Sequence, residues 1–108
     1  MIMNLFTKFV HRDINLAVEE FRCNSNSLMI DVRTAEEYAA GHIPKSVNIP
    51  LDRIGSIDEL SSAKNQKIYL YCQSGFRSKK ACKFLKQLGY TNVEDIGSIS
   101  FYSSNLEK

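Results

Sequence analysis

The stretch Leu70-Tyr71-Cys72-Gln73-Ser74-Gly75-Phe76-Arg77-Ser78-Lys79 sets a lone cysteine between an apolar run and the start of a helical pattern. Lys67 to Tyr71 is rich in β-branched and aromatic residues, and Ala81, Phe84, Leu85 and Leu88 recur at helical spacing until Gly89 stops them. The motif therefore reads strand, tight loop, helix. Backbone N–H groups at a helix start lack partners within the helix, and the positive end of the dipole favours an anion there. A thiolate at that point is a nucleophile. The macrodipole alone supplies only about 0.3–1 kcal/mol. Convergent loop N–H groups, the Ser74 or Ser78 hydroxyl and a nearby cation must supply the rest. A buried strand-end cysteine is the plainer reading of Cys72. Gly75 and Arg77 in the same short loop favour the functional one.

The remaining composition narrows the function by exclusion. With 108 residues the chain is read as one domain, 1–108, long enough to bury a core without staples. A net charge of +2 is too mild to call for nucleic acid or a membrane surface as partner. Cys23, Cys72 and Cys82 form no Cys-x-x-Cys pair and, with His11 and His42, fit no zinc-ligand spacing. No metal is expected, and a reduced, cytoplasmic setting is. The apolar start, Met1 to Val10, lacks a charged leader and a small-residue cleavage site and is read as mature protein. Nothing later is long enough to span a membrane.

The elements that must position the cysteine alternate between helix and strand. Asp13 is suited to cap a helix whose Ile14, Val18 and Phe21 share a face. Leu28 to Val32 reads as a buried strand after the polar cluster Asn24-Ser25-Asn26-Ser27. Thr34 and Glu37 have capping-box spacing, so a short helix runs to Gly41. His42-Ile43-Pro44 is a turn, and Val47 to Ile49 a brief strand before Pro50. Ser56 and Glu59 repeat the capping-box spacing ahead of Leu60. A last strand covers Val93 to Ile96, followed by an ill-defined tail. This order predicts an α/β fold with a mainly parallel sheet, whose sites gather at the carboxyl ends of the strands. Cys72 lies at one such end and Asp31 near another.

Two blocks carry a resemblance. The first is Asp31-Val32-Arg33, then Glu37-Tyr38 and Gly41-His42-Ile43-Pro44-Lys45-Ser46-Val47-Asn48-Ile49-Pro50. The second is Cys72-Gln73-Ser74-Gly75-Phe76-Arg77-Ser78, a Cys-x-x-Gly-x-Arg-Ser loop. With Gly89 to Val93 and Gly97-Ser98-Ile99, the chain resembles a single-domain rhodanese of the thiosulfate sulfurtransferase family from about Leu28 to Tyr102. The resemblance implies a central five-stranded sheet flanked by helices on both faces. It also implies a two-step transfer: Cys72 takes a sulfane sulfur from thiosulfate or a persulfide donor, then yields it to a thiol or protein acceptor, with no cofactor. Gln73, Ser74, Gly75, Phe76, Arg77 and Ser78 would cradle the persulfide. Gly75 is expected to clear space for the inward turn. Departures from the family pattern are Lys45 and Ser46 in place of glycine and alanine, Ser98 in place of a second glycine, and Tyr102 in place of tryptophan. Phe76 leaves the loop less cationic than a basic residue would, which disfavours the doubly anionic thiosulfate.

The supporting residues have structural readings beside the functional ones. A thiolate attacking sulfur needs no general base, and the resemblance implies that His42 belongs to a packing turn. Asp31 and Arg33, at the end of a buried strand, are expected to form an ion pair or cap. The carboxylate of Asp31 or Glu37 is expected to hold Arg77, whose guanidinium points inward. Lys79, Lys83 and Lys86 form a solvated face. Cysteine phosphatases and some arsenate reductases share such a loop, with a longer cysteine-to-arginine spacing than the Gln73-Ser74-Gly75-Phe76 bridge here. A noncatalytic rhodanese-like binding module is the other alternative, against which the retained cysteine argues.

Overall fold

The computed structural model describes residues 12–61 and 63–108; His11 and the Met1 to Val10 start lie outside them. Helix α1 (Ile14–Arg22) opens as the sequence implied, with the Asp13 carboxylate accepting the N–H of Asn15 and Leu16. Strand β1 (Leu28–Asp31) follows, then helix α2 (Ala35–Ala40), where Thr34 and Glu37 close a complete capping box. Strand β2 (Val47–Asn48), a 3-10 segment (Leu51–Glu59), strand β3 (Ile68–Cys72), helix α3 (Phe76–Gln87) and strand β4 (Val93–Ser98) complete the order before a 3-10 turn, Ile99–Phe101.

The four strands pair in parallel in the order β2-β1-β3-β4. Every residue of β3 is buried, because β3 is central and both faces of the sheet are covered. Ile68, Leu70 and Cys72 pack with Ala81, Cys82 and Leu85 of α3 and Ile54 and Ile57 of the 3-10 segment. Tyr69 and Tyr71 point the other way, to Ile14, Ala17, Val18 and Phe21 of α1. This period-two alternation puts Cys72 on the α3 side of the sheet.

Four expectations need correction. The sheet has four strands among the described residues, not five. The sequence pattern itself marked only four strand segments, and the fifth came from the resemblance. Ser56 does not start a helix: it lies inside the 3-10 segment that begins after Pro50, and its hydroxyl donates to the Arg53 carbonyl. The buried stripe of α3 is Ser78, Ala81, Cys82 and Leu85, while Phe84 and Leu88 stand 41% and 43% exposed. Ser78 sits inward because its N–H is bonded to Cys72 Sγ and its hydroxyl to the half-buried Asp95. The tail is also ordered against the body: His42 and Glu107 exchange backbone hydrogen bonds at 2.8 Å in an antiparallel bridge.

Candidate active site

Cys72 is the last residue of β3, and Gly75 is the residue before the first turn of α3. Gly75 has no side chain to cap that turn. Cys72 does so instead: its Sγ accepts the N–H of Ser78 at 3.3 Å, the bond that a serine or aspartate cap side chain would accept, and the N–H of Gly75 at 2.9 Å. Both N–H groups point their positive ends at the sulfur. A Cβ built on Gly75 would meet nothing within 4 Å, so clearance is not the reason for glycine. The φ of +97° is.

The Ser78 hydroxyl plays a different part from the one expected. It donates to Asp95 Oδ1 at 2.7 Å and accepts from Cys72 Sγ at 3.3 Å, so its proton is directed away from the sulfur. Ser74 makes no side-chain bond to the sulfur; it is exposed on the loop rim. Asp95 escaped the sequence reading. It reaches Ser78 because β3 and β4 slip register there: Leu70 pairs with Asp95 and Tyr71 with Gly97, and the Gly97 N–H bonds the Asp95 carboxylate at 2.9 Å. Gly97, at φ +93°, was the one signal in the sequence for such a bulge.

Two arginines secure the loop from opposite ends. Arg77 meets Glu37 with both terminal nitrogens, at 2.7 and 2.9 Å, and the same carboxylate caps α2 through the Thr34 N–H. The Arg77 bond, reinforced by the Thr34 cap, holds Glu37 down to about 2. Of the two carboxylates expected for Arg77, it is therefore Glu37. Asp31 is committed to Arg33, taking Nε at 3.0 Å, Nη2 at 2.7 Å and the Arg33 N–H at 2.8 Å, all in the interior. Arg33 then spans from the Gly41 carbonyl at 2.7 Å to the Gln73 side chain at 3.1 Å, which carries the buried pair to the cysteine loop. The Ser98 hydroxyl donates to the Gln73 carbonyl, a third tie, supplied by the residue that replaces a glycine.

His42 stands apart from this cluster. Its ring stacks on Tyr38 at 3.7 Å between centroids, with Nδ1 on the Tyr38 carbonyl at 2.8 Å and Nε2 facing Glu107. The next residue, Ile43, donates its N–H to the buried Tyr71 hydroxyl, so the turn is fixed by packing. Burial pushes the Tyr71 phenol well above its ordinary range, which keeps it a neutral donor and acceptor. Among the described residues no group of three or more His, Cys, Asp or Glu side chains is arranged to hold a metal. No helix among them is long and apolar enough to cross a membrane.

Comparison with known proteins agrees with the geometry. The family model of the rhodanese-like domain matches residues 17–99. The thiosulfate sulfurtransferase PspE of Escherichia coli is 36% identical over 73 residues, 65% of this chain and 68% of its own length. The adenylyltransferase and sulfurtransferase uba4 of Ogataea parapolymorpha is 34% identical over 99 residues, 91% of this chain but 25% of that protein. Other long relatives that contain the same region are named tRNA uridine(34) hydroxylases, and this chain spans 30% of one of them. A solved structure described as an Escherichia coli rhodanese with anions superposes with a TM-score of 0.72 at 32% identity, over 76% of this chain and 98% of that one.

Proposed function

Because the chain belongs to the rhodanese-like domain family, we propose that it is a sulfurtransferase that carries sulfane sulfur as a persulfide on Cys72. The Cys72 thiolate attacks the outer sulfur of thiosulfate or of a persulfide donor. The donor's sulfur–sulfur bond breaks, sulfite or a thiolate leaves, and the outer sulfur stays on Cys72. An acceptor nucleophile then attacks that outer sulfur and expels the Cys72 thiolate. Donor, cysteine and acceptor balance both half-reactions.

The observation that carries this reading is the cysteine sulfur taking the place of a cap at the N-terminus of α3, with two N–H donors aimed at it. The N–H groups of Phe76 and Arg77, in the same first turn, have no partner among the described residues, and they are the dipoles that would meet charge on the transferred sulfur. Gln73, Ser74 and Phe76 form the exposed rim, while Arg77 and Ser78 fix its shape. Cys72 itself is 0% exposed, so a donor enters only as the rim yields. Asp31, Arg33 and His42 act through the framework. All three cysteines are free, which suits a reducing compartment such as the cytoplasm.

Thiocyanate production from thiosulfate and cyanide tests the proposal. Initial rates over both substrates are expected to give the parallel reciprocal plots of a ping-pong reaction, and Cys72→Ser no turnover. Thiocyanate formation by Cys72→Ser at the wild-type rate would remove the assigned nucleophile.

A further inference from the structure

Among the described residues, Phe76 and Phe101 are the most exposed large apolar side chains, at 75% each, and both line one cleft of about 570 Å³ beside the cysteine loop. Gly75 and Asp95 also line it. The first donates to Cys72 Sγ and the second accepts from Ser78, so the cleft lies one residue's thickness from the sulfur. Phe101 is not a frayed end. Asn15 donates to the Phe101 carbonyl at 3.1 Å and accepts the Ser103 N–H at 3.0 Å, which fixes the backbone that presents the ring.

Lys79 and Asp95 continue from this cleft into a second groove, lined by Lys83 and Lys86 of α3. None of these three lysines has a carboxylate within ion-pair distance among the described residues. Of the groove's own acids, Glu94 is neutralised by Arg12 and Lys67, while Asp95 is held only by the neutral donors of Ser78 and Gly97 and keeps its charge. Three lysines against that one carboxylate leave the groove with net positive charge next to two uncovered rings. Taking the persulfide on Cys72 as given, we propose that this surface docks the sulfur acceptor, and that the acceptor is an acidic protein segment bearing its thiol beside an aromatic residue. A small anionic thiol would satisfy the lysines and leave both rings in water; a peptide of this kind satisfies both. Its length is set by α3, which carries Lys86 about 15 Å beyond Phe76, or about five residues of extended chain. The acceptor thiolate attacks the outer sulfur, the sulfur–sulfur bond breaks, and Cys72 leaves as thiolate while the segment becomes a persulfide.

The test uses full-length protein loaded with thiosulfate, or with polysulfide, and single-turnover transfer to short peptides. One carries cysteine, phenylalanine and a run of acidic residues; the controls replace the phenylalanine by glycine, or the acids by lysine. The first is expected to discharge the protein about tenfold faster than either control. Phe101→Ala, and Lys83→Glu with Lys86→Glu, are expected to bring it down to the control rate while discharge by cyanide is unchanged. Equal rates for the three peptides, or variants that slow cyanide and peptide alike, would overturn the docking surface. A loaded protein that cyanide does not discharge would instead overturn the persulfide reading beneath it, and the docking proposal with it.

Discussion

Arg33 and Arg77 each grip a carboxylate through more than one guanidinium nitrogen, and each reaches the cysteine loop, yet the two pairs stand in different media. Arg33 and Asp31 are 4% and 0% exposed; Arg77 and Glu37 are 32% and 31% exposed. Removing one partner of a buried pair strands a charge in the interior and costs about 3–5 kcal/mol. An accessible pair is screened and typically contributes about 0–1 kcal/mol. The same chemistry therefore serves two ends. The inner pair joins β1, the Gly41 turn and Gln73 into one framework, whereas the outer pair costs the fold little and sets the position of Arg77 on the loop.

The largest effect expected from this contrast is on Asp31. Asp31→Asn keeps the side-chain shape but leaves Arg33 uncompensated. Urea denaturation is expected to show a loss of about 3 kcal/mol, a large part of an ordinary domain's stability. A loss below about 1 kcal/mol would place the inner pair in the same class as the outer one.

Arg77 is expected to behave in the opposite sense. Arg77→Ala should change stability by no more than about 1 kcal/mol while sulfur transfer falls by about tenfold or more. Arg77→Lys keeps the charge but loses the planar fork, so its transfer rate should lie between alanine and wild type. Iodoacetamide alkylation at neutral pH should slow more in the alanine variant than in the lysine one. A large stability loss with transfer unchanged would reverse the roles assigned to the two pairs.

A smaller effect is expected from pH. Glu37 is held from its ordinary 4.5 down to about 2, with the Arg77 hydrogen bond as the main cause. At 31% exposure, solvent screening keeps the stability it contributes within the range of an accessible pair, about 1 kcal/mol at most. A depressed carboxylate contributes stability above its unfolded value and loses it as pH falls through the folded one. The stability gap between wild type and Glu37→Gln should thus be constant above the 4.5 of the free group and close as pH falls toward 2. A gap that does not change over this range would mean that the outer pair is not formed in solution.

The smallest effect is expected from the remaining cysteines. Cys23 is exposed and Cys82 sits at 7% exposure on the buried side of α3, where burial pushes its thiol up and away from reactivity. Cys23→Ser and Cys82→Ser should keep most of the thiocyanate-forming activity. Loss of turnover in a folded Cys82→Ser protein would point to a dithiol mechanism.

What the sequence made legible was local. Asp13 and the Thr34–Glu37 box marked their helix starts, the apolar run marked β3, and Gly75 marked the turn at the cysteine. These depend on neighbours a few residues apart. The inner pair was legible as an expectation because Asp31 and Arg33 are close in sequence at a buried strand end. The longer-range assignments were not. Whether Asp31 or Glu37 met Arg77 depended on how α2 lies against α3, and Asp95 entered the site only through a register slip in β4. The stripe of α3 was misread for the same reason: composition favours Phe84 and Leu88 as core, but a partner distant in sequence drew Ser78 inward.

The central claim is that sulfur rides on Cys72, and intact-mass spectrometry tests it most directly. After incubation with thiosulfate or a persulfide donor, the wild-type protein should gain the mass of one sulfur atom, lose it to cyanide or reductant, and Cys72→Ser should gain none. Uptake of reducible sulfur by Cys72→Ser at the wild-type rate, or no uptake by the wild type from any donor, would contradict the account.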